Sequence, residues 1–208
     1  MALTAFQQSI LPILAKNRNP NSHFGRGPRL SDDFDIFSDS PVILAASVVA
    51  DLKSLEQSGY DIDRRFNTSI PTHHFSCNVS KGINQTSLDW SCDTIQRFFP
   101  AIPDADFGWR LSKTDLAVNK MLALAGRREA RDYMDIITLH QSGWTIATLA
   151  NAAPGKDAGF TPQLILDEIT RNSRFSVEEL KSVRSIDPVD PVTLKQAFLQ
   201  GVAEARKT

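Results

Sequence analysis

The sequence predicts an α+β fold, a small mixed-sheet lobe over residues 1–105 followed by a helical lobe over 106–208. Three observations carry this expectation. Between residues 30 and 90 the chain orders a strand, a helix and then several extended segments, the arrangement of a small α+β layer. From Ser112 onward the apolar residues recur at helical spacing and no further alternating run occurs. Pro100 to Asp106 separates the two patterns as a connector.

The elements follow in order. Leu3, Phe6, Ile10, Leu11 and Leu14 have helical spacing, with Pro12 expected to end or bend the helix. Lys16 to Pro28, rich in Asn, Gly and Pro, reads as a loop. Leu30 to Phe37 alternates, Phe34 and Ile36 to one side and Asp33, Asp35 and Phe37 to the other, as a strand with one buried face does. Ser40-Pro41 starts a helix that Gly59 stops. Tyr60 to Phe66, His73 to Val79 and Ser87 to Trp90 are extended segments between turn residues. In the second half, helices are expected from the Ser112 capping box to Gly126, over Glu129 to Gln141, from Thr161-Pro162, and from about Thr193 to Arg206.

Composition excludes several functions. The chain is 41% apolar and 23% charged, as ordinary folded chains are, and far from disordered ones. A net charge of −1 supplies no global field for nucleic acid or anionic membranes, so a polyanion contact must be a local patch. No apolar run approaches the roughly twenty residues that span a bilayer, and no charged-then-apolar leader opens the chain, so a cytoplasmic address with no membrane partner is expected. Cys77 and Cys92 are assigned no chemistry.

Asp33 and Asp35, one residue apart on a strand, leave the same face of the sheet within a few ångströms. Two carboxylates that close repel unless a cation sits between them, and magnesium is the usual oxygen-seeking solution. Such a pair can hold two ions roughly 3.5 to 4 Å apart, the arrangement of phosphoryl or nucleotidyl transfer. The tripeptide alone equally describes acids facing water at a sheet edge; Asp61-Ile62-Asp63 has the same spacing and reads as solvated. His73 and His74 lack a third ligand at metal-binding spacing, Ser22 and His23 likewise carry no metal pattern, and His140 falls on the packed side of its helix.

Arg29-Leu-Ser-Asp-Asp-Phe-Asp-Ile-Phe37 resembles the metal-binding stretch of the AbiEii/AbiGii toxin-like nucleotidyltransferases, relatives of the MenT toxins. The run from Asp115 to Asp135 is similar over its full length to that family's helical "D-L-x-x-N-K-x-x-A-L-x-x-R-x-x-x-R-D-x-x-D" segment, and Leu88-Asp89-Trp90 stands where the family carries its third acid. Arg97-Phe-Phe-Pro100 fits the connector, and the resemblance covers most of residues 10 to 145. It implies a nucleotidyltransferase-type mixed-sheet lobe in which Asp33, Asp35 and Asp89 hold two Mg2+ ions and Asp89 can also deprotonate the acceptor hydroxyl. Lys120 would face a nucleoside triphosphate, with Arg131, Asp132 and Ser31 bordering the nucleotide. Read as plain residues, Lys120 is also an ordinary exposed helix lysine, and Arg131 with Asp135 an i,i+4 ion pair.

The implied reaction moves a nucleoside monophosphate from the triphosphate to a hydroxyl of RNA, tRNA foremost, or of a protein, and the implied partner is an antitoxin. The chain departs from the family in one respect: no Gly-Gly or Gly-Ser turn stands about ten residues before the acidic strand. Either Gly25 and Gly27 form a shortened substitute, or the turn is lost and the chain is a catalytically inactive binding or regulatory protein that keeps the fold. A third possibility is an enzyme modifying a small-molecule alcohol.

Overall fold

A computed structural model describes residues 3–25, 33–64, 73–93, 96–183 and 190–207. These residues divide into two compact units, the first ending at Ser112 and the second beginning at Lys113.

The first unit is a seven-stranded mixed sheet backed by two helices. Helix α1 (Ala5–Ala15) opens on a capping box in which the Thr4 hydroxyl accepts from the Gln7 amide at 3.1 Å and Gln7 accepts from the Thr4 amide at 3.0 Å. Pro12 lies inside this helix and does not end it. Proline there removes the bond that the Gln8 carbonyl would receive, but Gln8 and Pro12 are both exposed, where water can replace it. Strand β1 (Ser22–Gly25) is a departure, because the sequence reads as loop and the structure pairs it on both sides. Strand β2 (Asp33–Ser38) alternates as expected, its Phe34, Ile36 and Ser38 buried. Helix α2 (Pro41–Gln57) starts at Ser40, whose hydroxyl accepts from the Ile43 amide.

Strands β3 (Asp61–Arg64), β4 (His74–Lys81) and β5 (Asn84–Cys92) realise the three extended segments, and Asp61 and Asp63 are exposed, as the solvated reading requires. Strands β4 and β5 form a hairpin closed by Gly82 and Ile83, with Gly82 at φ +62. A positive φ at the first of two turn residues is the II′ geometry that matches strand twist, and glycine adopts it without steric cost. Strand β6 (Ile102–Asp104) falls in the segment read in sequence as connector, and its hairpin partner β7 (Gly108–Arg110) was not read from the sequence. Across the sheet the order is β3-β4-β5-β2-β1-β7-β6, with β2–β5 and β1–β7 parallel and the other pairs antiparallel.

The sheet has one apolar and one polar side. Phe24, Phe34, Ile36, Phe75, Cys77, Val79, Leu88 and Trp90 form one core with Ile10 and Leu14 of α1 and Leu44, Val48 and Leu55 of α2. Alternation therefore sends Asp33, Asp35, Asp89, His74 and Ser91 to the opposite side.

The second unit is all helical: α3 (Lys113–Gly126), α4 (Ala130–Gln141), α5 (Ile146–Ala152), a 3-10 turn (Ala153–Gly155), α6 (Pro162–Asn172), α7 (Val177–Ser182) and α8 (Pro191–Ala205). The short α5 and α7 were not read from the sequence. The core gathers Met121, Leu124, Tyr133, Ile137, Ile165 and Phe198, with the Tyr133 ring 4.9 Å from that of Phe198 and 5.5 Å from that of Phe175. His140 packs against Gly201, where a Cβ would stand 3.0 Å from its Nε2. Among the described residues no helix is long and apolar enough to cross a membrane.

Candidate active site

Strand register decides which acids meet. In the parallel pair β2–β5, Asp33 lies beside Ser87 and Asp35 beside Asp89. Residues paired in this way leave the same face, from strands about 4.8 Å apart. Asp33, Asp35 and Asp89 thus come to one face from two separate pieces of backbone, and all three are half-buried. Hydrophobic burial enforces the arrangement, since a slip of one residue would send Phe34 and Ile36 to the polar side.

Beneath this face a buried polar network fixes β5. Arg18 and Asp51, both without side-chain exposure, form an ion pair with 2.5 Å between Nη2 and Oδ2. Asp51 also accepts from Trp90 Nε1 at 2.8 Å and from Asn17 at 2.9 Å. Arg18 donates further to the Leu14 carbonyl and the Ser22 hydroxyl. Burying two charges costs several kcal/mol each, and such a pair persists where, as here, hydrogen bonds occupy the remaining donors and acceptors. Trp90 stands between Asp89 and Ser91 in the chain, so the network holds the strand that presents the third acid.

Gly25 is not in a turn. It lies in β1 opposite Asp35, and the Phe37 ring occupies the space its side chain would take, with a Cβ there only 2.3 Å from Phe37 Cε2. Its lack of a side chain therefore serves an aromatic ring on the acidic face. Gly27 and Ser31 lie outside the described residues.

One residue on this face was set aside at the level of sequence. His74 pairs across the hairpin with Ser91, its Nδ1 3.2 Å from Ser91 Oγ and its Nε2 3.7 Å from Asp89 Oδ1. Fifteen positions separate His74 from Asp89, so only the strand register brings them together.

In the helical unit the residues of the long motif are joined to one another. Lys120 Nζ lies 3.0 Å from Asp135 Oδ2, where the sequence offered Arg131 as partner for that acid. Asp132, fully buried, accepts from Arg127 Nε at 2.7 Å and Nη2 at 3.3 Å. Asp115 meets Lys156 at 3.0 Å, both side chains fully buried, and Lys156 also donates to Asn119 at 2.7 Å. Arg131 is half-buried on α4. The spacing of Asp115, Asn119, Lys120, Asp132 and Asp135 thus matches a set of ties within the helical unit.

The donors on the acidic face are of the type a hard divalent ion takes, carboxylate oxygens half open to solvent. Among the described residues no group of three or more His, Cys, Asp or Glu side chains stands where it could hold a metal ion. The carboxylates match such an ion in donor type and in the face they share.

The fold is that of the MenT-like nucleotidyltransferases. One structure that shares it is MenT4, a nucleotidyltransferase toxin from Mycobacterium tuberculosis H37Rv, at a TM-score of 0.57 and 12% identity, with 98% of this chain and 82% of that chain covered. Another is JHP933 from Helicobacter pylori, at a TM-score of 0.57 and 14% identity, covering 99% of this chain and 92% of that one. At such identities the likeness is one of fold. No protein-family model and no curated protein matches the sequence, so the resemblance to the AbiEii-type family rests on the motifs themselves.

Proposed function

We propose that the chain is a metal-dependent nucleotidyltransferase that moves a nucleoside monophosphate from a nucleoside triphosphate to a hydroxyl of RNA, tRNA foremost, or of a protein, as the toxin of a toxin-antitoxin pair. The observation that carries this reading is the register pairing Asp35 with Asp89, which joins the Asp33-x-Asp35 strand to a third acid on the same face. Its fold is shared with a nucleotidyltransferase toxin, which supports the reaction class.

Asp33, Asp35 and Asp89 are the residues that would hold divalent ions, magnesium in the first instance; when bound, these supply charge neutralisation at the triphosphate and an activated acceptor oxygen. The acceptor oxygen bonds to the α-phosphorus, the bond from that phosphorus to the departing pyrophosphate breaks, and the acceptor proton passes to the Asp89 carboxylate. Lys120, Arg131 and Ser31 remain proposed nucleotide contacts, whereas Asp132, fully buried, could act on a nucleotide only through Arg127, which it holds. For Lys120, its tie to Asp135 means that a phosphate must compete with a buried carboxylate for the ammonium.

The second reading, a binding or regulatory protein that has lost turnover, is favoured by that Lys120–Asp135 tie and by the position of Gly25 within a strand rather than a phosphate-holding turn. Incubation with each labelled triphosphate, Mg2+ and total RNA separates the two. Transfer of label to RNA or protein, falling at least about a hundredfold in Asp35→Asn, is the expected result, since several kcal/mol of charge stabilisation would be lost. Absence of label from every fraction would favour the second reading instead, and label confined to small molecules would redirect the acceptor class.

A further inference from the structure

We propose that the cleft between α1 and the β6–β7 turn binds a small apolar zwitterion, an aliphatic amino acid or a dipeptide with both ends free, between Lys16 and Asp106. Every residue of the cleft belongs to the first unit and none stands on the acidic strands, so loss of nucleotidyl transfer would leave this binding untouched.

The cleft has a volume of about 780 Å³, within the range of sites that take small molecules. Its walls are held in place from both sides. Asp104 fixes the turn: its Oδ1 accepts from the Asp106 amide at 3.0 Å and from the Phe107 amide at 3.1 Å, and its Oδ2 accepts from Arg110 Nε at 2.7 Å. Gly108 brings the turn against the end of α1, where a Cβ would stand only 2.4 Å from the Ala15 carbonyl oxygen. Phe107 is buried and packs edge-on to Phe24, with 5.3 Å between ring centroids, and Leu11 is buried on the helix side. Leu11, Ala15 and Phe107 therefore give the cleft an apolar wall.

The charges at this wall decide the ligand. Lys16 and Asp106 are both exposed at the cleft, and among the described residues neither side chain has an ion pair or hydrogen bond, with the other or with a third residue. Opposite charges that border one cleft without meeting leave one group for an anion and one for a cation beside the same apolar surface. A ligand of single charge is attracted by one and repelled by the other, whereas a zwitterion satisfies both.

A third polar group borders the cleft. Pro12 has no N–H to give the Gln8 carbonyl, and Gln8 and Pro12 are both lining residues. An ammonium has three donors, and the Asp106 carboxylate together with the freed carbonyl offers it two acceptors. The ligand's carboxylate takes the Lys16 ammonium, and its aliphatic side chain lies on the apolar wall, out of water. A proline retained in a helix interior then has a use at this cleft.

The test is calorimetric titration of the full chain with L-leucine and with leucyl-leucine, beside leucinamide, which lacks the carboxylate, and isocaproic acid, which lacks the amine. Half-open ion pairs contribute little each, so a dissociation constant in the millimolar range is expected for at least one zwitterion, and the tighter of the two tells amino acid from dipeptide. Both single-charge analogues should bind at least about threefold more weakly, and the zwitterion should lose about as much in Lys16→Gln and in Asp106→Asn. Pro12→Ala separates a ligand contact from a structural role, because the restored helix bond should weaken binding about threefold while it raises the melting temperature. No binding of either zwitterion, analogues that bind as tightly, or an unchanged affinity in either charge variant would overturn the proposal. An unchanged affinity in Pro12→Ala would overturn the part given to the Gln8 carbonyl. The analogues are tested on the wild type, so they decide the matter even if a variant does not fold.

Discussion

At the scale of single residues, Asp51 has the largest consequence outside the acidic face. Its carboxylate takes bonds from Arg18, Trp90 and Asn17 where water does not reach. Asp51→Ala would leave the Arg18 guanidinium buried without its counter-charge, and a loss of about 3–5 kcal/mol of stability is expected, read as a lower urea midpoint. Arg127→Ala makes a useful comparison: that guanidinium is half in solvent, but its removal leaves the fully buried Asp132 carboxylate without the two bonds it accepts from Arg127, so a clear fall in the urea midpoint is expected there too. Residues of this kind divide into those a sequence displays and those it hides. Asp33 and Asp35 were legible because a period of two is local, and Asp89 because the motif resemblance named it. Nothing local marks Asp51 or Lys156, because the partners that explain them are 33 to 41 positions away.

Among the elements, α1 is the one whose sequence argues against it. Proline in a helix interior costs up to about 3 kcal/mol relative to alanine, and Pro12 sits there with its ring in solvent. Pro12→Ala is expected to raise stability by about 1–3 kcal/mol, seen as a higher melting temperature, with no loss of packing to offset the gain. The longer helices were readable at their starts, where Ser40-Pro41 and Thr161-Pro162 supply both a side-chain cap and a preset backbone angle. Short elements were not. Strands β1, β6 and β7 have only three or four residues each, too few to show a period, and they exist because neighbouring strands accept their backbone groups. In β1 all four residues are buried, so even its burial shows no alternation that a sequence could display.

For the whole molecule, the two units have separate cores and separate chemical weak points. In the helical unit the weak point is Tyr133, a fully enclosed phenol that burial pushes up to about 12 from its ordinary 10.0. The folded state favours the neutral phenol, so its contribution is complete below the ordinary value and is lost as pH rises through the folded one. Urea midpoints should therefore fall between pH 10 and about 12, and Tyr133→Phe should flatten that decline. If the wild type and the variant decline in parallel, Tyr133 is not responsible.

The two-residue tip of the β4–β5 hairpin reaches further than its size suggests. Gly82 and Ile83 count the rungs that bring His74 opposite Ser91 at the far end of the ladder. An amino acid added at that tip is taken up by a three-residue turn and leaves every rung in place, whereas removing one leaves a single residue, too few to reverse the chain, and the last rungs must open. Insertions there should leave the urea midpoint nearly unchanged, and a deletion should lower it.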